Sequence, residues 1–254
     1  MKLISIIMPY YKKKAFVEEA INSVLRQSYK KFELILIYDD ENLDDYKFIS
    51  CLAKKDKRIK LFKNKKNLGS GLSRNLGIKH SKGFYLAFLD SDDVWFKDKL
   101  KVQLEYMEKN KLPVSFTAYK IINEKSQVIG FRKANKIINF SHLINSCDLG
   151  LSTVVAKSSI IKKKFYFPNL KTKEDYVFWL NIAKKNIIFY GLSKKLSAWR
   201  RHPNSLSSNF FQKIFDGYLV YYKYMKYNFL RSIYCLIVLS CYYLKKRFYE
   251  FIYS

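Results

Sequence analysis

The chain has 254 residues, room for one large domain or two small ones, and 49% of them are hydrophobic, which excludes disorder as a description of the whole. Its 48 Lys and Arg against 21 Asp and Glu give a formal charge of +27, which attracts polyanions of any kind: nucleic acid, anionic lipid or sugar diphosphate. Four cysteines, at 51, 147, 235 and 241, form no C-x-x-C pair and have no histidine at ligand spacing, which excludes a zinc site and a disulfide framework and fits a reducing compartment. In chain order, the first element is the apolar run Leu3-Ile4-Ser5-Ile6-Ile7-Met8. It is too short for a signal-peptide core, so we expect the first strand of a protein kept in the cytoplasm.

Further continuous apolar runs lie at 32–38, 59–62 and 84–89. Such runs mark strands buried on both faces of a parallel sheet. Between the first two, Phe16, Val17, Ala20, Ile21, Val24 and Leu25 share one helical face, and helices are expected again over 46–55 and 71–80. This alternation predicts an α/β fold, a doubly wound, mostly parallel Rossmann-like sheet with right-handed crossovers. Past residue 95 the pattern loosens: a helix at 97–110, strands near 114–121, 127–132 and 151–156, a helix over 174–185, and short strands at 187–190 and 196–200.

In an open α/β sheet ligands bind at the carboxyl ends of the strands. The residues there are Pro9-Tyr10-Tyr11, then Asp39-Asp40-Glu41-Asn42, then Gly69-Ser70-Gly71 leading to Arg74, then Asp90-Ser91-Asp92-Asp93. Asp90 and Asp92, one residue apart, present the oxygen ligands a hard divalent cation takes, and such a cation bridges the phosphates of a sugar nucleotide. Asp39 and Asp40 offer acceptors to a base or ribose, and Arg74 opens a helix where a diphosphate can approach. The Gly pair is neither a Walker loop nor a G-x-G-x-x-G turn. Glu174-Asp175 opens an aromatic-rich helix and offers a general base. Arg200-Arg201-His202 places two cations and one of three histidines after a strand.

The ordered series S-I-I-M-P-Y-Y, F-E-L-I-L-I-Y-D-D, S-R-N-L-G-I, G-F-Y-L-A-F-L-D-S-D-D-V-W, K-E-D-Y-V-F-W and W-R-R-H-P-N-S-L-S resembles the family 2 glycosyltransferases of the GT-A fold, over about residues 2–208. The resemblance implies a nucleotide-binding half at 1–95 and an acceptor half at 96–208. It implies nucleotide contacts at Pro9, Tyr11, Asp39 or Asp40, Arg74 and Asp90, and a Mn2+ or Mg2+ site at Asp90 and Asp92. Diphosphate contacts fall on Arg200, Arg201 and His202, and the catalytic base on Asp175. The reaction implied is an inverting transfer from a nucleotide-diphosphate sugar, UDP-linked by preference, to a hydroxyl of a lipid-linked or surface-polysaccharide glycan. Tyr10-Tyr11-Lys12 stands where the family has V-Y-N, and Glu41-Asn42 where it has Gly-Ser.

Two other classes fit less well. A sugar-nucleotide pyrophosphorylase needs a Gly-rich, basic loop after the first strand, and Pro9-Tyr10-Tyr11-Lys12 is not one. A nucleic-acid module gathers its basic residues on one motif, whereas here they are scattered, so no nucleic-acid partner is expected. Residues 209–254 form a basic, aromatic helical tail. Its longest uninterrupted stretch, 233–244, is well short of the roughly 20 residues a spanning helix needs. Lys213, Lys223, Lys226, Arg231, Lys245, Lys246 and Arg247 flank it, which predicts peripheral attachment to an anionic membrane surface on the cytoplasmic side.

Overall fold

The computed structural model describes residues 1–202 and 210–252, with residues 210 and 247–252 described through their backbone alone. Pro203, Asn204, Ser205 and the side chain of Arg247 therefore lie outside it. The first half runs β1 (Ile4–Tyr10), α1 (Lys14–Leu25), β2 (Phe32–Tyr38), α2 (Leu43–Lys54), β3 (Ile59–Lys63), α3 (Ser70–His80) and β4 (Tyr85–Phe88). β1 pairs in parallel with β2 and β4, and β2 with β3. All seven β1 residues are buried, as the unbroken apolar run requires. The strand continues through Pro9 and Tyr10, two residues past that run. Pro9, which has no N–H to donate, lies beyond the paired register with β4, which ends at Ile7.

The second half contributes β5 (Val94–Trp95), α4 (Lys99–Lys109), β6 (Val114–Ile122), β7 (Val128–Arg132), β8 (Ile137–Ile138), α5 (Phe140–Leu143), β9 (Val155–Lys157), α6 (Ser158–Ile161), α7 (Glu174–Ala183) and β10 (Phe189–Arg200). The sheet order is β3-β2-β1-β4-β9-β6-β10-β5, with β7 on β6 and β8 on β10. β9 runs antiparallel to both β4 and β6, and β10 is parallel to β6. Hence β3, β2, β1, β4, β6 and β10 share one direction, and their carboxyl ends share one edge. The expected strands at 187–190 and 196–200 are one strand, β10, carried past its exposed Ser193-Lys194-Lys195 by two register shifts. The strand expected at 151–156 opens instead as a 3-10 turn at Leu151–Thr153 before β9.

Alternation along the strands splits the core in two. Ile6, Met8 and Tyr10 face α1, α2 and α4 through Val17, Ile21, Ile49, Leu100 and Leu104. Ile7, Leu86 and Phe88 face α3 and α7 through Ile78, Val177 and Phe178.

The tail forms α8 (Phe210–Leu219), a π-helical turn over 220–224 and α9 (Phe229–Ile252). Its inner side belongs to the second core: Val220, Tyr221, Met225, Cys235 and Leu239 are all buried there. Tyr221 Oη donates to the Ile144 carbonyl at 2.9 Å, and Asp216 accepts from the N–H and hydroxyl of Thr172 at 2.9 and 2.8 Å. Lys246 on α9 ion-pairs with Asp148. Among the described residues, no helix is long and apolar enough to cross a membrane.

Candidate active site

The site begins where β2 ends. Asp39, 2% exposed, accepts from Asn64 Nδ2 at 2.6 Å and from the N–H groups of Leu68 and Gly69 at 2.8 Å each. Its carboxylate therefore moulds the loop that leads into α3. Asp40 accepts from the N–H of Lys12 at 3.1 Å and of Glu41 at 2.8 Å, so it fixes the turn after β1. Tyr11 lies on that turn, with Lys12 Nζ 5.1 Å from its ring. Tyr10 points the other way into the core, and its hydroxyl donates to Asp45 at 2.6 Å.

Gly69 holds φ +85°, a left-handed conformation glycine adopts without strain, and turns the chain into α3. Gly71 packs so tightly against the start of α7 and the loop before it that a Cβ would lie 3.2 Å from Glu174 Cγ and 2.8 Å from the Pro168 carbonyl oxygen. That approach carries Arg74 across to the second half of the chain. Arg74 Nη1 donates to Glu174 Oε1 at 2.8 Å and Nη2 to Asp90 Oδ1 at 2.7 Å, with the side chain only 5% exposed. Ser70 Oγ adds a bond to Glu174 at 2.6 Å. The guanidinium expected to meet the nucleotide is thus the buried link between the metal-type strand end and the helix bearing the candidate base.

Asp175 follows Glu174 in the first turn of α7, behind Lys173, whose φ of +66° is strained for a side chain and sharply reorients the chain. Burial, followed by the neighbouring Glu174 charge, pushes the Asp175 carboxyl up to about 6. A carboxylate so raised binds protons more strongly while remaining ionised at neutral pH, the property a general base needs.

Beyond β4 the three aspartates are held differently. Asp90 is raised by burial, against the pull of Arg74. Asp93 is raised well above its ordinary range by burial and by Asp92 and Asp90; it accepts from Ser152 Oγ at 2.6 Å and the Arg200 N–H at 2.9 Å. Asp92 is also pushed up by burial, but contact with His202 and Lys13 outweighs this and leaves it below the usual carboxylate value. Lys13 Nζ lies 2.8 Å and His202 Nε2 3.0 Å from the same oxygen, Asp92 Oδ2.

The cations after β10 divide sharply. Arg200, a candidate diphosphate contact in the sequence, is committed to protein partners here. Its side chain is wholly buried, bonding Glu19 at 2.6 Å, the Asp92 carbonyl at 2.9 Å and the Asn123 carbonyl at 3.0 Å. Neighbouring residues of a strand point to opposite faces, so Arg201 turns outward and lies 5.6 Å from the exposed Trp199 ring. His202 faces the site. Its Nδ1 lies 3.3 Å from Glu124, and its buried Nε2 makes no hydrogen bond of acceptable geometry despite its nearness to Asp92. An imidazole steadied by a carboxylate on one nitrogen, with the other nitrogen left over beside a second carboxylate, matches the chemistry of a metal ligand. The residues present therefore fit a divalent cation. Among the described residues, no three His, Cys, Asp or Glu side chains already converge on one point. Sequence reasoning did not single out Lys13, Glu124 or the bridging role of Glu174; for the last, the acidic pair at 174–175 was the signal.

The sheet order, with carboxylates at the ends of β2 and β4 and at the start of α7, is that of the GT-A fold. The chain belongs to glycosyl transferase family 2, whose family model matches residues 5–167. It is 42% identical over 202 residues to an uncharacterized glycosyltransferase of Rickettsia felis, a match covering 78% of this chain and 33% of that protein. The chain thus spans about a third of the length of that relative. It is 38% identical over 213 residues to the Escherichia coli UDP-Glc:α-D-GlcNAc-diphosphoundecaprenol β-1,3-glucosyltransferase WfgD, covering 84% of this chain and 82% of that one. Its fold matches Staphylococcus aureus TarS residues 1–349 in complex with UDP-GlcNAc, with a TM-score of 0.71 and 24% identity over 87% of this chain and 64% of that one.

Proposed function

We propose that this glycosyltransferase moves a sugar, with inversion, from a UDP-sugar to a hydroxyl of a lipid-linked glycan used for surface polysaccharide. The observation that carries the reading is the raised Asp175 carboxyl, tied through the Glu174–Arg74–Asp90 chain to the edge that bears Asp92 and His202. Asp175 accepts the proton of the acceptor hydroxyl as that oxygen attacks the anomeric carbon. Arg74 and Ser70 both bond Glu174 Oε1, which commits that carboxylate to bracing the site. Pro9, Tyr11 and Asp39 or Asp40 frame the nucleoside, and His202 faces the diphosphate side. A Mn2+ or Mg2+ ion held by Asp92, Asp90 and His202 would supply positive charge to the departing diphosphate.

Similarity to WfgD supports the lipid-diphosphate acceptor. The outer side of the tail supports attachment to an anionic membrane surface. On α9, Leu230, Tyr234, Ile237 and Leu244 recur at helical spacing and are 77, 66, 56 and 63% exposed, opposite the buried Cys235 and Leu239. On α8, Phe211 and Phe215 are likewise exposed, and the acidic Asp216 is buried. An apolar stripe among Lys and Arg, with Asp216 turned inward, suits a headgroup layer.

Radiolabelled UDP-sugars with an undecaprenyl-diphosphate-linked GlcNAc acceptor provide the test. Metal-dependent transfer that disappears in Asp175→Asn is the expected result. Absence of transfer from every UDP-sugar, with turnover of a GDP- or dTDP-sugar, would replace the donor assignment.

A further inference from the structure

The ion pair between Lys13 and Asp92 has no counterpart in the reaction outlined above. Lys13 caps the start of α1 with non-helical backbone, φ −120° and ψ 35°, directly after the turn held by Asp40. It is the middle member of a Lys12-Lys13-Lys14 run whose other two side chains point elsewhere. Lys12 approaches the Tyr11 ring, and Lys14 pairs with Asp45 at 3.0 Å. Only Lys13 reaches inward: its Nζ lies 2.8 Å from Asp92 Oδ2, with the two side chains 28 and 15% exposed. The same oxygen is the one that His202 Nε2 approaches. An ammonium therefore occupies the coordinating face of the carboxylate that, on the reading above, holds the metal.

We propose that Lys13 is a resident counter-cation that makes metal binding depend on the donor. Before loading, its ammonium neutralises Asp92 and competes with a divalent ion for Oδ2, both by occupying the oxygen and by like-charge repulsion. A nucleoside diphosphate brings two further anionic groups to the same edge and gives the ammonium another partner, leaving Oδ2 to the metal. Metal and donor then bind cooperatively, and linkage requires the donor to favour the metal by the same factor as the metal favours the donor. Lys13 does not touch the reacting atoms; it acts as a positioning residue through Asp92. The inference rests on the assignment of Asp92 as a metal ligand.

The experiment is Mn2+ binding followed by electron paramagnetic resonance, on the whole chain, with and without saturating UDP. In the wild type, UDP should tighten Mn2+ binding. Lys13→Gln should bind Mn2+ alone about fivefold more tightly, the scale of a partly screened ion pair, and should show a smaller effect of UDP. Lys13→Arg, which keeps the charge, should behave as the wild type. Lys13→Gln binding Mn2+ alone no more tightly than the wild type, while Asp92→Asn loses Mn2+, would overturn the proposal and leave the metal site standing. If Asp92→Asn binds Mn2+ like the wild type, the metal assignment and this proposal fall together.

Discussion

Arg74 on α3 and Glu174 on α7 form an ion pair at 2.8 Å that is almost wholly shielded from water, with side-chain exposures of 5 and 11%. Arg74 spends its other terminal nitrogen on Asp90, so one guanidinium neutralises two carboxylates on opposite sides of the site. Removing one member of a buried pair leaves uncompensated charge and costs about 3–5 kcal/mol. Arg74→Ala should therefore lower the thermal midpoint markedly and abolish transfer. Arg74→Lys should recover stability only in part, because an ammonium lacks the planar fork that reaches both carboxylates. Calorimetric unfolding of the three proteins checks this.

Asp175 should set the acid limb of the rate profile. Its carboxyl is pushed up to about 6, and only the ionised form accepts a proton. The rate should fall as pH drops through about 6, rather than near the ordinary aspartate value. Asp175→Asn should lower turnover by about 10²-fold or more, remove that limb and leave UDP binding near the wild-type value. Turnover measured from pH 5 to 8, with UDP titrations alongside, gives both readouts.

Lys99 is fully buried, hydrogen-bonded to Gln103 at 2.9 Å and 4.1 Å from the Trp95 ring. Burial pulls its ammonium down to about 7 from an ordinary value of 10.5. Below pH 7 both folded and unfolded chains carry the proton, and the folded state bears the whole burial cost. Between pH 7 and 10.5 the unfolded state alone binds it, so stability rises with pH. Lys99→Met should stabilise the protein by about 1–2 kcal/mol at pH 6, with the gain shrinking as the pH rises towards 10. Urea unfolding at pH 6 and 9 tests the sign.

The tail should bring the protein to anionic vesicles through the outer stripe of α9 without taking the inner one out of the core. Leu230→Ser with Ile237→Ser should weaken flotation with anionic liposomes while leaving the thermal midpoint within about 1 °C, since both side chains are exposed. Equal recovery of wild type and double variant with anionic and neutral vesicles would rule out the membrane surface as the partner of this face. Truncation after Ser208 is unsuitable for this test, because it removes Val220, Tyr221 and Leu239 from the core.

Much of the frame was legible because buried parallel strands announce themselves as unbroken apolar runs; β1, β2 and β4 fall where those runs lie. The strand-end rule singled out Asp90 and Asp92 as candidates, and the acidic pair opening a helix singled out Asp175. What it missed is tertiary. β5 and β8 are two residues each and exist because β10 offers them an edge. Ser193-Lys194-Lys195 broke one strand into two in the sequence, since polar residues on a bulged, exposed stretch look like a turn. Alternation alone could have separated Arg200 from Arg201, but which of the two faces inward depends on the packing of Ala198 and Trp199. In the Lys12–Lys14 run nothing in composition says which ammonium meets Asp92. The tail showed one apolar face in its sequence, while α9 carries two, one spent on the core and one exposed.

The bond from Arg200 to Glu19 joins residues 181 positions apart, and the bond from the Arg200 N–H to Asp93 spans 107. Closing such loops has an entropic cost that grows with their length and delays folding. Synthesis proceeds from the N-terminus, so β1 to β4 emerge and pair while β10 is still untranslated. A nascent chain carrying β1 to β4 thus still lacks the brace under Asp92 and the imidazole beside it. The edge bearing Asp92 and His202 is therefore completed late, only once β10 has been made and docked beside β6.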